Sequence, residues 1–223
     1  MNKQLQKNLE NVIQKIEKAR LSVSGHHIVK LVGVGKYSDT DSIKALYQLG
    51  QRAFGENQVQ QLEARSVELE ALPLEWHFIG RLQKNKINKL IEINPFLVQS
   101  IDSLELALAI DKRLGEKNAS LNALLQINSA NEEAKAGVSL EEAKDVYAQI
   151  MEQCPHITLK GVMSIGAMDE TLTQKSFEDT YSLFETLPHA TICSMGMSGD
   201  YELAIRCGSN LIRVGSALFE GEA

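Results

Sequence analysis

IVKLVGVGKYSDTDSIKALYQLGQRAFGEN, residues 28–57, reads as strand, helix, strand. Ile28–Gly35 is an apolar strand-like run, Thr40–Leu49 an amphipathic helical stretch, and Ala53–Gly55 a second strand. The same alternation continues outward from this unit. Further strand candidates are Trp76–Ile79, Leu97–Ile101, Ala123–Ile127, Gly161–Ile165, Thr191–Ser194 and Leu211–Val214. Helical stretches lie between them at Gln58–Leu72, Gln83–Ile91, Leu104–Leu114, Leu140–Gln153, Lys175–Leu187 and Tyr201–Arg206. Alternation of this kind signals a parallel sheet with helices outside it. Eight such units favour an α/β chain folded as a closed (β/α)8 TIM barrel; an open doubly wound sheet is the alternative.

An extra helix precedes the first strand. Within Met1–Arg20, Leu5, Leu9, Val12, Ile13 and Ile16 recur at helical spacing. This helix is expected to supply the outer helix that the last strand lacks, the chain ending at Ala223. Acids at Glu10 and Glu17 interrupt the segment, which excludes a signal peptide. No linker or break in composition divides residues 1–223, so a single domain is expected.

Composition narrows the function. The chain has 223 residues, 43% of them hydrophobic, enough for a packed interior. A net charge of −6 argues against broad nucleic-acid or anionic-membrane binding, which need a positive surface. No stretch is apolar for long enough to span a bilayer. Cys154, Cys193 and Cys207 are an odd number and form no C-x-x-C pair, which suits a reduced, cytoplasmic compartment. No spacing of histidine, cysteine or acids suggests a metal site.

In a parallel barrel the active site lies at the C-terminal ends of the strands. The unusual polar and glycine residues of this chain fall there. Lys36 follows the first strand, Gly55-Glu56-Asn57 the second, and His77 and Gly80 lie on or after the third. Ser194-Met195-Gly196-Met197-Ser198 follows the seventh, and Arg213-Val214-Gly215-Ser216 closes the chain. At such a mouth a partly desolvated Lys36 amine would be a nucleophile toward aldehydes; taken alone, it is better read as a strand-end lysine reaching water. Loops after the last two strands often bind phosphate through amides and hydroxyls, and Ser198, Gly215 and Ser216 supply both. Asp200 would cap the next helix. Arg213, inside an apolar strand, needs a partner, either a core acid or a ligand acceptor. His77 reads as a satisfied core histidine or a catalyst, and Asn57 as a turn former or a ligand donor. Arg81, Lys84, Lys86 and Lys89 read as a solvated helix face.

Taken in order, Leu31–Lys36, Phe54-Gly55-Glu56-Asn57, Trp76-His77-Phe78-Ile79-Gly80, Leu82-Gln83, Asn85-Lys86, Ser100-Ile101-Asp102, Ser194–Ser198 with Asp200, and Arg213–Ser216 resemble the YggS/PROSC family of pyridoxal phosphate homeostasis proteins. The resemblance runs along almost the whole chain. It implies a barrel like the alanine racemase N-terminal domain, with pyridoxal 5′-phosphate (PLP) held covalently on Lys36 as a Schiff base. It places Ser194, Ser198, Gly215 and Ser216 around the phosphate, Arg213 against the pyridine nitrogen, and Asn57 and His77 near the ring. The chain departs from the family in three places. Gly35 stands where serine usually precedes the lysine. Glu133-Ala134-Lys135-Ala136-Gly137 replaces an asparagine-serine-lysine-serine-glycine stretch, and its lysine, Lys135, reads as a solvated side chain. A usual proline is absent at Ile165-Gly166-Ala167.

The implied function is intracellular PLP (vitamin B6) homeostasis, as a monomeric carrier or buffer with little turnover and with apo PLP-dependent enzymes as possible partners. An arginine at the ring nitrogen weakens the electron sink that PLP enzymes need. The racemases that share this barrel add a second domain carrying a second base, and this chain stops soon after Ser216. Two alternatives remain: a slow amino-acid racemase using Lys36 with His77 or Cys193 as second acid, and an aldolase whose lysine attacks a sugar carbonyl.

Overall fold

Side chains alternate across each strand, and in a closed barrel this divides the apolar residues into two cores. Val32, Ala53, Leu97, Leu124, Met163 and Leu211 meet inside the cylinder. A larger set, including Phe54, Phe78, Val98, Cys193, Ile212 and Val214, packs beneath the helices. Strands buried on both faces read as near-continuous apolar runs, which is why they stand out in the sequence.

The computed structural model describes residues 3–36, 38–132, 135–167 and 169–220. The strands are β1 Lys30–Val34, β2 Ala53–Glu56, β3 Glu75–Phe78, β4 Leu97–Ile101, β5 Leu121–Asn128, the two-residue β6 Val138–Ser139, β7 Ile157–Ser164, β8 Ile192–Ser194 and β9 Leu211–Val214. The helices are α1 Lys3–Val23, α2 Thr40–Gln48, α3 Val59–Glu68, α4 Ile87–Ile93, α5 Leu104–Glu116, α6 Ala143–Gln153, α7 Glu170–Phe184, α8 Tyr201–Arg206 and α9 Ser216–Phe219. All ladders are parallel. β1 pairs with both β2 and β9, and β4 with β5, so eight strands close a barrel and β6 lies on the outer edge of β5. The closed barrel is thus the observed fold, and the doubly wound sheet is excluded.

Helix α1 packs against α2, α8 and α9, in the place of an eighth outer helix. Leu5, Leu9, Val12, Ile16 and Ala19 form its buried stripe, and Asn8 Nδ2 donates to the Leu218 carbonyl at 3.0 Å. Ile13, expected on this face, is 46% exposed, because the buried residues follow a narrow three- and four-residue spacing that passes beside it. Other boundaries shift as well, among them the starts of β1, β7, α6 and α7. Ile28 lies outside β1 and is exposed. Helix α7 starts at Glu170, five residues before the first expected position, because the Asp169 carboxylate accepts from Thr171 N at 2.8 Å and caps it. Among the described residues no helix is long and apolar enough to cross a membrane.

Candidate functional site at the barrel mouth

Each barrel strand delivers its last residues to one rim. Strand β1 ends at Val34, and Gly35 N donates to the Gly55 carbonyl of β2 at 3.2 Å. The chain then turns, with the amide and hydroxyl of Ser38 both donating to the Gly35 carbonyl, at 2.8 and 2.9 Å. Lys36 rides on this turn and is exposed. Partial desolvation was expected of it, and the side chain is instead exposed.

Opposite lie the loops after β8 and β9. Ser198 Oγ accepts from the amides of Gly215 and Ala217, at 3.1 and 3.4 Å. Two N–H groups therefore converge on the Ser198 hydroxyl oxygen and fix its place at the rim. Asp200 does not cap α8. Its carboxylate turns back to accept from Met197 N at 2.6 Å, closing the turn that presents Ser198.

These two sides enclose a cavity of about 580 Å³, lined by Lys36, Asn57, Ser198, Arg213, Gly215 and Ser216 among others. That is the size of a small-ligand site. Six of the eight residues singled out from sequence thus meet around one space. Met197 of the loop after β8 also lines it, as do Ser38, Asp39, Ser42, Phe219 and Glu220, which sequence reading missed. Gly80 shapes the rim: a Cβ there would collide with the backbone carbonyl of Asn57, so only glycine lets the loop after β3 close against it.

Ser194 and His77 do not reach the cavity. Ser194 is the last residue of β8 and points into the barrel. Its hydroxyl accepts from Arg213 Nη1 and donates to Gln99 Oε1, both at 2.6 Å. Gln99 Nε2 in turn bonds His77 Nδ1 at 2.9 Å. Arginine only donates, so the polarity of the chain is set: Arg213 to Ser194, Ser194 to Gln99, Gln99 to His77. The histidine proton therefore sits on Nε2, which finds no hydrogen-bond partner among the described residues. The His77 ring is fully buried and tilts against Phe96, 5.6 Å between centroids, with the Lys30 ammonium over the other ring at 4.6 Å. Burial, and to a lesser degree the Lys30 charge, pulls its pKa down to about 3. Of the two readings the core position holds, with Gln99 and Ser194 between it and Arg213, but the ring is satisfied only at Nδ1 among the described residues.

Arg213 also donates from Nη2 to the Ser164 carbonyl at 2.9 Å. Among the described residues it makes no ion pair, and Asp200 is the carboxylate whose charge it feels most. A core acid is not its partner. A buried guanidinium held only by neutral acceptors at the cavity floor is suited to meeting an acceptor on a ligand.

Residues outside this site behave structurally. Lys89 pairs with Glu63 at 2.7 Å, Lys84 with Glu105, and Arg81 lies 4.0 Å from Asp102, so much of that basic cluster is a neutralised helix face. Lys135, expected to be solvated, is half-buried and donates to the Gly166 carbonyl at 2.7 Å, because the loop after β5 folds onto the loop after β7. Its neighbours Glu133 and Ala134 lie outside the described residues.

A sequence model of the alanine racemase N-terminal domain matches residues 3–222. A pyridoxal phosphate homeostasis protein of Helicobacter pylori is 54% identical over 214 residues, covering 95% of this chain and 96% of the relative. The chain belongs to the pyridoxal phosphate homeostasis protein family. A human member is 35% identical over 207 residues, covering 85% of this chain and 75% of its own. Among solved structures, PipY of Synechococcus elongatus with PLP bound superposes with a TM-score of 0.78 at 32% identity, covering 92% of this chain and 99% of PipY. Alanine racemase of Clostridium difficile, at 17% identity and TM-score 0.70, shares the fold; 96% of this chain covers 55% of the racemase.

Proposed function

We propose that this family member binds PLP in the barrel mouth, covalently through Lys36, and serves in the cytoplasm as a monomeric carrier or buffer of the cofactor. The observation that carries the reading is the convergence on one cavity of the Lys36 side chain, the hydroxyl-bearing Ser198 and Ser216 with Gly215, and a guanidinium without an acid. PLP has a matching aldehyde, phosphate and ring nitrogen. The names of the relatives and the PLP-bound PipY neighbour support the same ligand. When bound, the cofactor supplies an aldehyde carbon to which a lysine amine can attach with loss of one water. Ser198, Gly215 and Ser216 would hold the phosphate, and Asn57 would close the rim.

The residues favour holding over turnover. Arg213 stays charged and offers donors only, so it leaves a facing ring nitrogen unprotonated. A racemase needs a second proton carrier. Cys193 lies in the core between barrel and helices, and burial raises its thiol pKa steeply. His77 is walled off below Gln99. Neither faces the cavity. A site built from one chain suits a monomer, and free Cys154, Cys193 and Cys207 suit a reducing compartment.

The test is the visible spectrum of the purified protein with PLP, followed by borohydride and peptide mass analysis. Fixation on Lys36, lost in Lys36→Ala, and transfer to an apo-enzyme faster than free release are expected. Wild-type protein that acquires no covalent label overturns the reading.

A further inference from the structure

The turn bearing Lys36 is held from outside its own strand. Helix α3 reaches over it with two side chains. Gln61 Nε2 donates to the Lys36 carbonyl at 3.2 Å. Arg65, 6% exposed, donates from Nη1 to the Gly35 carbonyl at 2.7 Å and from Nη2 to the Ser38 carbonyl. The carbonyls of residues 35, 36 and 38 are thus all taken by one helix. Arg65 is itself seated by a buried ion pair to Glu56 Oε1 at the end of β2. Glu56 is fully buried, and its other oxygen makes no hydrogen bond among the described residues.

Such a pair is a poor source of stability. Desolvating both ions offsets most of their attraction, and an apolar pair of equal volume often serves stability as well. What a guanidinium supplies that an apolar side chain cannot is a rigid fork, here gripping two carbonyls that flank Lys36. The strand before the turn is cut to fit. Gly35 is buried, and a Cβ there would collide with Arg65 Nη1 and lie 2.9 Å from Glu56 Oε1. Glycine at this position is what admits the fork.

We propose that Arg65, seated by Glu56, is a positioning residue that sets the backbone of Lys36 so that its amine meets the ligand's aldehyde. This rests on Lys36 as the attachment point. Arg65 does not line the cavity, so its loss leaves the phosphate and ring contacts in place and affects only the approach of the amine.

The test separates attachment from binding. Pyridoxine 5′-phosphate carries the same ring and phosphate with an alcohol for the aldehyde, so it binds but cannot attach. Its dissociation constant is measured by calorimetry. The rate of covalent attachment of PLP is measured by stopped-flow absorbance and confirmed by mass after borohydride. In Arg65→Gln the attachment rate is expected to fall at least about tenfold while the alcohol's affinity stays within about twofold, since misplacement of a reacting group acts on the reaction and not on remote contacts. Arg65→Lys, which keeps the ion pair and loses the fork, should recover part of the rate. An unchanged rate, or a parallel loss of rate and alcohol affinity, overturns the proposal. If Arg65→Gln fails to fold, Gly35→Ser displaces the fork with both charges retained and must show the same split. Wild-type protein that binds both compounds and attaches neither refutes the reading of Lys36 itself, and the positioning role with it.

Discussion

Replacing Ser194 by alanine removes one oxygen that serves two buried partners. Gln99 Oε1 loses its donor and one Arg213 N–H loses its acceptor, while Arg213 keeps the Ser164 carbonyl. Both stranded groups lie in the barrel interior, where Gln99 is 0% and Arg213 4% exposed. A stranded neutral group costs about 1–3 kcal/mol and one on a charged side chain more, so Ser194→Ala should lose about 3–5 kcal/mol. For a chain of this size that is a fall in Tm of roughly 6–20 °C. Ser198→Ala is the contrasting variant. Its oxygen serves two amides at the rim, where water can replace it, so its stability cost should stay below about 1 kcal/mol. Its affinity for pyridoxine 5′-phosphate should instead drop about tenfold, equivalent to about 1.4 kcal/mol. Urea denaturation of the unloaded proteins, with calorimetric titration of the alcohol, reads both quantities. Ser194→Ala of near wild-type stability but tenfold weaker binding would show that this hydroxyl reaches the ligand, refuting its placement inside the barrel.

Acid should weaken the fold through His77. Its folded pKa of about 3 lies below the ordinary histidine value of about 6.5, so the unfolded chain takes up the proton first. The stability of the neutral ring is full above pH 6.5 and falls as pH drops toward 3, by up to roughly 5 kcal/mol in all; His77→Gln should flatten this part of the urea-midpoint profile, and an unaltered slope refutes the assignment. Gly80→Ala forces the loop after β3 away from Asn57 and should cost about 1–3 kcal/mol along with weaker binding of the alcohol, measured by the same two assays. A full-affinity Gly80→Ala protein would show that the rim contact is not part of the site.

The barrel was legible because parallel strands buried on both faces leave uninterrupted apolar runs, and Leu97–Ile101 and Leu211–Val214 were placed to the residue. Ends set by caps were harder: the first turn of α7, capped by Asp169, has no apolar stripe to mark it. Within the site, the residues past the strand ends were readable because the fold dictates where they go. The direction of the last strand residue was not. Ser194 and Ser198 have the same chemistry, and only the exact end of β8 decides that one enters the barrel and the other its rim. Two signals were present and unused. Gln99 interrupts an apolar strand just as Arg213 does, and a buried polar side chain implies a partner. Arg65 falls on the buried Val59, Leu62 stripe of α3, which Leu69 at its C-cap continues, and a charged residue there has to be satisfied inside.

The interior chain from Arg213 to His77 places two bases that share a barrel but hold opposite charge states. Burial pulls the Arg213 pKa down to about 10 and that of His77 to about 3. Between those values the guanidinium keeps its proton and the imidazole stays without its second one. The hydrogen-bond direction along Ser194 and Gln99 therefore stays fixed over the whole physiological range, and so does the donor that Arg213 presents to the cavity. A floor that does not titrate can hold an acceptor on a ligand but cannot pass it a proton, which is what the proposed holding role asks of it.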